Sequence, residues 1–244
     1  MLRYPGAILF DIDNTVYPYH PCHQAGLDGA WKAAAEVFEP WRQYDVFLGD
    51  YSAARDRMKA RLGRRASAHC RLLYFKEMVD RHLGGTSGQA VLELRRAYWE
   101  AYFAGMKADP GCVEFLKMIR GRGVRSAWVS NYATERQILK LNALGLDGLA
   151  DFLVTSEEAG GEKPDPAPFM LALEKLGKKP EECWMVGDDP GDDVEASIRL
   201  GLQGIWFFRD GSTPPGGKTF ETVKDWHQLT EIFEKCGKMA TAMK

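Results

Sequence analysis

The sequence has no run of the roughly 18 apolar residues that a membrane span requires, and its first apolar stretch, Ala7 to Phe10, is cut short by Asp11 and Asp13. Neither a signal segment nor a membrane partner is expected, and a cytoplasmic location is the default reading. Cysteine is sparse. Cys22, Cys70, Cys112, Cys183 and Cys236 are scattered without a CxxC pair or an even framework, which argues against a disulfide scaffold and against a thiolate zinc site. His20-Pro21-Cys22-His23 gathers three potential ligands but indicates no fourth, so it is not read as a metal site. An excess of one charge sign is also missing. Thirty-two basic residues stand against 34 acidic ones, for a net charge of -2, so there is no general electrostatic reason to expect a nucleic-acid partner. No internal repeat is visible.

What remains is a chain of 244 residues, 45% apolar and 27% charged, the composition of an ordinary globular protein large enough to fold without staples. Residues 7–12 (AILFDI) are short, β-rich and flanked by Gly6 and Asp13, which suits a buried strand opening a parallel sheet. Further strands are expected at 125–129, 151–154, 183–186 and 204–208. Helical patterns at 112–121, 133–144, 166–176 and 192–201 alternate with them, and Gly121, Gly145, Gly177 and Gly201 stand near their ends. This is a βαβ rhythm.

The rhythm fails between Val16 and Asp109. There the patterns predict long helical stretches at 24–38, 52–83 and 88–105, with a break near Gly63, too much chain for a bare crossover. We read residues 17–105 as a helical module inserted after the first strand, leaving 1–16 and 106–244 as the core. The Pro18 and Pro21 region is the expected first hinge, and Asp109-Pro110-Gly111 the return turn. Near the other end, 212–217 reads as a surface loop. A closing helix is expected over 223–236, with Val223, Trp226, Leu229, Ile232 and Phe233 on one stripe, followed by eight residues without periodicity. Trp184, Met185, Trp206, Phe207 and Phe208 read as core packing.

Carboxylates collect at two places. Asp11-Ile12-Asp13-Asn14-Thr15 stands where the first strand ends, and in extended backbone Asp11 and Asp13 would project to the same side. Asp188-Asp189-Pro190-Gly191-Asp192-Asp193 follows another apolar strand and precedes a helix. In an open parallel sheet both would lie at the carboxyl edge, where ligands bind. Like charges so close either raise one another's pKa or need a cation, and carboxylate ligands suit magnesium, although manganese fits the same donors. The plainer alternatives are a solvated turn at Asp11 to Asn14 and helix capping by Asp192 or Asp193. Between the clusters, Ser130 and Asn131 follow a strand, and Lys163 precedes a helix. These are places where a hydroxyl, backbone N–H groups and a point charge can hold phosphate oxygens.

With these motifs in order, the sequence resembles the haloacid dehalogenase-like (HAD) hydrolase superfamily, in particular its phosphatase branch. Asp11-Ile12-Asp13-Asn14-Thr15 is similar to the family's DxDxT signature, Ser130 to its second motif, Lys163 to its third, and Gly187-Asp188 with Asp192 or Asp193 to its fourth. Val194-Glu195-Ala196 favours Asp193 in that last match. The resemblance spans about 7–208. It implies an α/β fold with a Rossmann-like parallel-sheet core and an all-helical cap inserted after the first motif.

The resemblance also implies a magnesium-dependent phosphatase acting on a small phosphorylated metabolite. Asp11 is then the nucleophile that becomes an aspartyl-phosphate, and Asp13 the acid and base. Asp11, the Asp13 carbonyl, Asp188 and Asp193 or Asp192 are the implied metal ligands, and Ser130, the Asn131 N–H and Lys163 the implied phosphate clamp. Asp13 argues against the dehalogenase branch, because halide leaves without a proton whereas an alkoxide needs one. A phosphotransferase using the same intermediate and a catalytically silent phosphate-binding protein are the alternatives.

Substrate contacts are sought in the inserted module, among Tyr17, Tyr19, His20, His23, Trp31, Tyr44 and Phe47. The stretch Arg55, Arg57, Lys59, Arg61, Arg64, Arg65 and Arg71, with only Asp56 against it, reads first as a solvated helix face and second as a surface that attracts a further anionic group.

Overall fold

The protein is described here from a computed structural model covering residues 2–209 and 220–242. The loop expected at 212–217 lies outside the described residues, as does the very end of the chain. Two compact units are present: residues 1–17 with 107–244, and residues 18–106.

The first strand, β1 (Ala7–Phe10), is wholly buried. The chain then leaves for the helical unit. There α1 (Tyr19–Val37) packs on α4 (Gly88–Ala104), while α2 (Tyr44–Leu62) and α3 (Arg71–Leu83) pack on each other and α3 on α4. Helices α1 and α4 approach closely at Gly29, where a Cβ would stand 2.7 Å from the Ala97 carbonyl oxygen and only glycine leaves room. The break expected near Gly63 is present: α2 stops at Leu62 with Gly63 as its C-cap, and a 3-10 turn at Ala66–His69 precedes α3. Helix α1 begins at Tyr19 rather than 24. Pro21 therefore lies in its first turn, where a missing N–H costs no helical bond, and within the Pro18 and Pro21 region it is Pro18, the residue before the helix, at which the second unit begins.

The return to the core is pinned to the departure by the Asp109 N–H, which donates to the Val16 carbonyl at 2.9 Å. From there α5 (Cys112–Gly121), β2 (Arg125–Ser130), α6 (Thr134–Ala143) and β3 (Phe152–Thr155) follow. A short α7 (Ser156–Ala159), then α8 (Pro166–Leu176) and β4 (Cys183–Gly187), lead to one π turn, Pro190–Glu195, that opens the short α9 (Ala196–Arg199). The chain continues through β5 (Gln203–Phe207), β6 (Glu221–Val223) and α10 (Trp226–Ala242).

All strand pairs are parallel, in the order β3-β2-β1-β4-β5-β6. This is the α/β architecture, a parallel sheet with an inserted helical region. β1 sits near the middle, and both its faces are covered. Leu9 joins Val129, Val154, Phe169, Leu173 and Met185 on one side. Phe10 meets Phe115, Trp128 and Trp226 on the other, at centroid distances of 6.1, 5.7 and 5.7 Å. Burial of each such large side chain contributes about 1.5–3 kcal/mol, which explains why these strands read as unbroken apolar runs.

The three-residue β6 has no readable period, and it takes Val223 out of the stripe assigned to the closing helix. That helix begins at Trp226 and runs past Cys236 to Ala242, so residues 237–242 are helical despite their weak pattern.

Candidate active site

Asp11 continues the β1 ladder one step beyond the strand, its N–H donating to the Val186 carbonyl at 2.9 Å. The chain then turns. Thr15 and Val16 N–H groups both point to the Ile12 carbonyl, and Asn14 takes a left-handed backbone at φ 66°, a conformation Asn tolerates. The Asp11 side chain goes to Lys163 and the Asp13 side chain to Lys140, while the Asp13 charge also acts on Asp11.

Lys163 stands just before α8, and it is fixed by a reciprocal clamp. Its N–H donates to Asn131 Oδ1 at 2.7 Å, and Asn131 Nδ2 donates to its carbonyl at 2.9 Å. The ammonium is thereby delivered into the core, 2.7 Å from Asp11 Oδ1, 2.5 Å from Asp193 Oδ1 and 2.9 Å from the Val129 carbonyl. Burial alone would lower its pKa, but Asp11 and Asp193 raise it above the ordinary lysine value.

Asp193 reaches this point because the π turn folds it back over Gly187. A Cβ at Gly187 would lie 2.2 Å from Asp193 Oδ2. The same oxygen accepts the Asp189 N–H at 3.1 Å, while Asp189 Oδ1 caps the turn by accepting from Gly191 and Asp192 at 2.7 Å. Capping, read from the sequence as a task of Asp192 or Asp193, thus falls to Asp189.

Asp11, Asp188 and Asp193 bring one carboxylate oxygen each within 4.8 Å of one another. Asp192 is not in that group. The Asp13 side chain is not in it either. Asp188 is held by Asn14 Nδ2 at 2.9 Å, and its own carbonyl accepts Trp206 Nε1 at 2.8 Å. Burial pushes Asp11 and Asp188 up to about 7, helped in Asp11 by Asp193 and in Asp188 by Asp11. Asp193 rises to about 6, through burial and the neighbouring Asp188, against the pull of Lys163. Three acids share one ammonium, which bonds Asp11 and Asp193. A hard dication with oxygen ligands fits that donor set, because it would offset the remaining negative charge.

Asp13 lies in a different setting. Lys140, itself buried, donates to its two oxygens at 2.5 and 2.7 Å, Gln137 Nε2 donates at 3.1 Å, and the Tyr17 hydroxyl donates as well. Burial would raise its pKa, but Lys140 above all, then Tyr17 and Gln137, hold it below the usual carboxylate range. The Gln137 amide also donates to Ser130 Oγ. The turn bearing Asp11 and Asp13 is braced by Arg209. Its Nη2 donates to the Thr15 carbonyl at 2.8 Å, its Nε to that of Asn14, and its guanidinium pairs with Asp109.

Gln137, Lys140 and Arg209 were not singled out in the sequence, while Asn14 was read only as part of the first motif and Trp206 only as core packing. The Gln137 and Lys140 spacing on a face shared with Leu141 was the one available signal, since two polar groups on a helix's buried face need partners. Asn131 was read for its N–H, yet its side chain positions Lys163. Tyr17, sought as a substrate contact, belongs to the core unit and holds Asp13.

Among the helical-unit candidates, Phe47 is buried core, Trp31 donates to the Trp41 carbonyl, and Tyr44 donates to Asp28. His20 is exposed, whereas Tyr19 and His23 stack at 5.3 Å. Much of the basic stretch is balanced locally, with Arg57 2.8 Å from Glu77 and Arg55 3.0 Å from Asp56.

The haloacid dehalogenase-like hydrolase family matches residues 5–201. The chain belongs to that family. This family member is 39% identical over 201 residues to a ribulose-1,5-bisphosphate 5-phosphatase of Halopiger xanaduensis, covering 82% of this chain and 84% of that one. It is 29% identical to a glyceraldehyde 3-phosphate phosphatase of Methanopyrus kandleri, over 80% of this chain and 81% of the relative. Among solved structures, an HAD phosphatase of Thermococcus onnurineus superposes with a TM-score of 0.70 at 23% identity, over 93% of this chain and 96% of the other. That likeness shows the fold. Among the described residues, no helix is long and apolar enough to cross a membrane.

Proposed function

We propose that this family member is a magnesium-dependent phosphatase that hydrolyses a small phosphomonoester through an aspartyl-phosphate on Asp11. The carrying observation is the meeting of Asp11, Asp188 and Asp193, with Lys163 2.7 Å from the first. The relatives' names support the substrate class, since each is a phosphatase of a small phosphorylated compound.

In this reading an Asp11 oxygen attacks phosphorus, and the ester P–O bond breaks as the leaving oxygen takes a proton from Asp13. Asp13 then removes a proton from water, which attacks the same phosphorus and breaks its bond to Asp11, releasing inorganic phosphate. Asp11, Asp188, Asp193 and the Asp13 carbonyl would hold the ion, and a magnesium ion bound there would offset charge on the phosphoryl oxygens. Lys163, Ser130 and the Asn131 N–H form the proposed phosphate clamp. Lys140 favours ionised Asp13, the form the second step requires. For the first step Asp13 must take up a proton against that ion pair, so proton uptake weighs on ester cleavage rather than on hydrolysis of the intermediate.

A panel of phosphomonoesters assayed with magnesium and with EDTA tests the proposal. Phosphate release that needs the metal and falls by about a thousandfold or more in Asp11→Asn supports it, in keeping with loss of a covalent nucleophile. Undiminished release by Asp11→Asn refutes it.

A further inference from the structure

One part of the helical unit has no role in the chemistry assigned to the core. Arg71 opens α3, whose first turn carries no acid and whose N-terminus no side chain caps. Arg71 is buried, with 8% of its surface exposed. Its guanidinium donates from Nη2 to the Tyr19 hydroxyl at 2.5 Å, from Nη1 to the His69 carbonyl at 2.8 Å and from Nε to the Tyr98 hydroxyl at 3.4 Å. It also lies 5.7 Å from the Tyr74 ring centre and 5.8 Å from that of Tyr98.

Two neutral donors sit in this positive field. Tyr98 accepts from Arg71, and its hydroxyl lies 2.7 Å from His23 Nδ1; when that hydroxyl donates its own proton there, Nδ1 is the acceptor. Neutral His23 then carries its proton on Nε2 and presents an N–H. Burial, followed by Arg71, His20 and Arg55, pushes the His23 pKa down to about 3, so the ring stays neutral. The second donor is Tyr51. It is 2% exposed, its ring lies 6.0 Å from that of His23, and its hydroxyl has no hydrogen-bond partner among the described residues. The hydroxyl lies in the field of Arg71, whose pull opposes the rise that burial imposes on it. A purely structural Arg71 does not account for a buried phenol left without a partner beside it, because such a group costs stability unless something accepts its proton.

We propose that the helical unit carries an oxyanion-binding centre in which Arg71 supplies the charge, and Tyr51 Oη and His23 Nε2 supply directed hydrogen bonds, to a phosphate or carboxylate group. Planar guanidinium with neighbouring O–H and N–H donors is the donor set such a group takes. The anion is a separate ligand such as free phosphate, and the centre does not rest on the phosphatase reading.

The test is a titration of the metal-free full chain with inorganic phosphate, followed by the imidazole nitrogen and proton resonances of His23. The expected result is a saturable His23 shift that weakens at least tenfold in Tyr51→Phe and in Arg71→Lys. Tyr51→Phe removes only an unpartnered hydroxyl, so it keeps the fold, which a thermal melt verifies. No saturable shift in the wild-type chain, or equal affinity in a folded Tyr51→Phe, overturns the centre. Neither result bears on Asp11, whose variant tests the phosphatase reading separately.

Discussion

Lys140 shows how much of the site rests on residues outside the motifs. It is buried on α6 with its ammonium on both Asp13 oxygens and 4.8 Å above the Tyr132 ring. Replacing it by methionine keeps its bulk and removes the charge that fixes the Asp13 carboxylate. We expect Lys140→Met to lower kcat by about a hundredfold, the lower end of what acid-base assistance contributes. KM should change far less, because Asp13 acts on the leaving group and on water. Steady-state kinetics on any substrate from the panel checks this, and an unchanged kcat would remove Lys140 from the account. The motif residues were legible because their types and order are unusual; Lys140 was not, because one lysine on a helix is ordinarily solvated. Its burial is decided by partners 127 positions away.

At the scale of elements, the strands of the central sheet were readable because burial on both faces leaves continuous apolar runs. β6 was not, since three residues carry no period and Val223 fits a helical stripe equally well. The π turn after β4 was also hidden. Its Pro-Gly-Asp-Asp sequence reads as a capped helix start, and only the extra residue in the turn brings Asp193 back over Gly187. Gly187→Ala tests that contact. A methyl group would collide with Asp193 Oδ2 at 2.2 Å, so the turn must shift and Asp193 must leave Lys163. Overpacking of this kind costs about 1–3 kcal/mol, to be read in a denaturant melt, and magnesium affinity should fall with it. Wild-type stability together with wild-type metal affinity would show that the turn does not position Asp193.

At the scale of the whole molecule, the acidic cluster links stability to pH and to metal. Asp11, Asp188 and Asp193 have folded-state pKa values of about 7, 7 and 6, above their ordinary 3.8. The folded state therefore binds more protons than the unfolded one over that interval. Without metal, stability should decline as pH rises from about 4 to about 7 and then level off. Magnesium binds only the folded ionised cluster, so the rise in Tm that it produces should be larger at about pH 8 than at about pH 5. Melts in EDTA and in magnesium at both pH values decide the matter; an equal shift at both would mean the three acids are not the metal site.

The most direct measurement of the central claim is acid-quenched trapping of the intermediate. The protein is mixed with magnesium and radiolabelled acetyl phosphate, quenched during turnover and digested. The account predicts label on the peptide containing Asp11, absent in Asp11→Asn. Turnover without label on that peptide, or label on another residue, would contradict it.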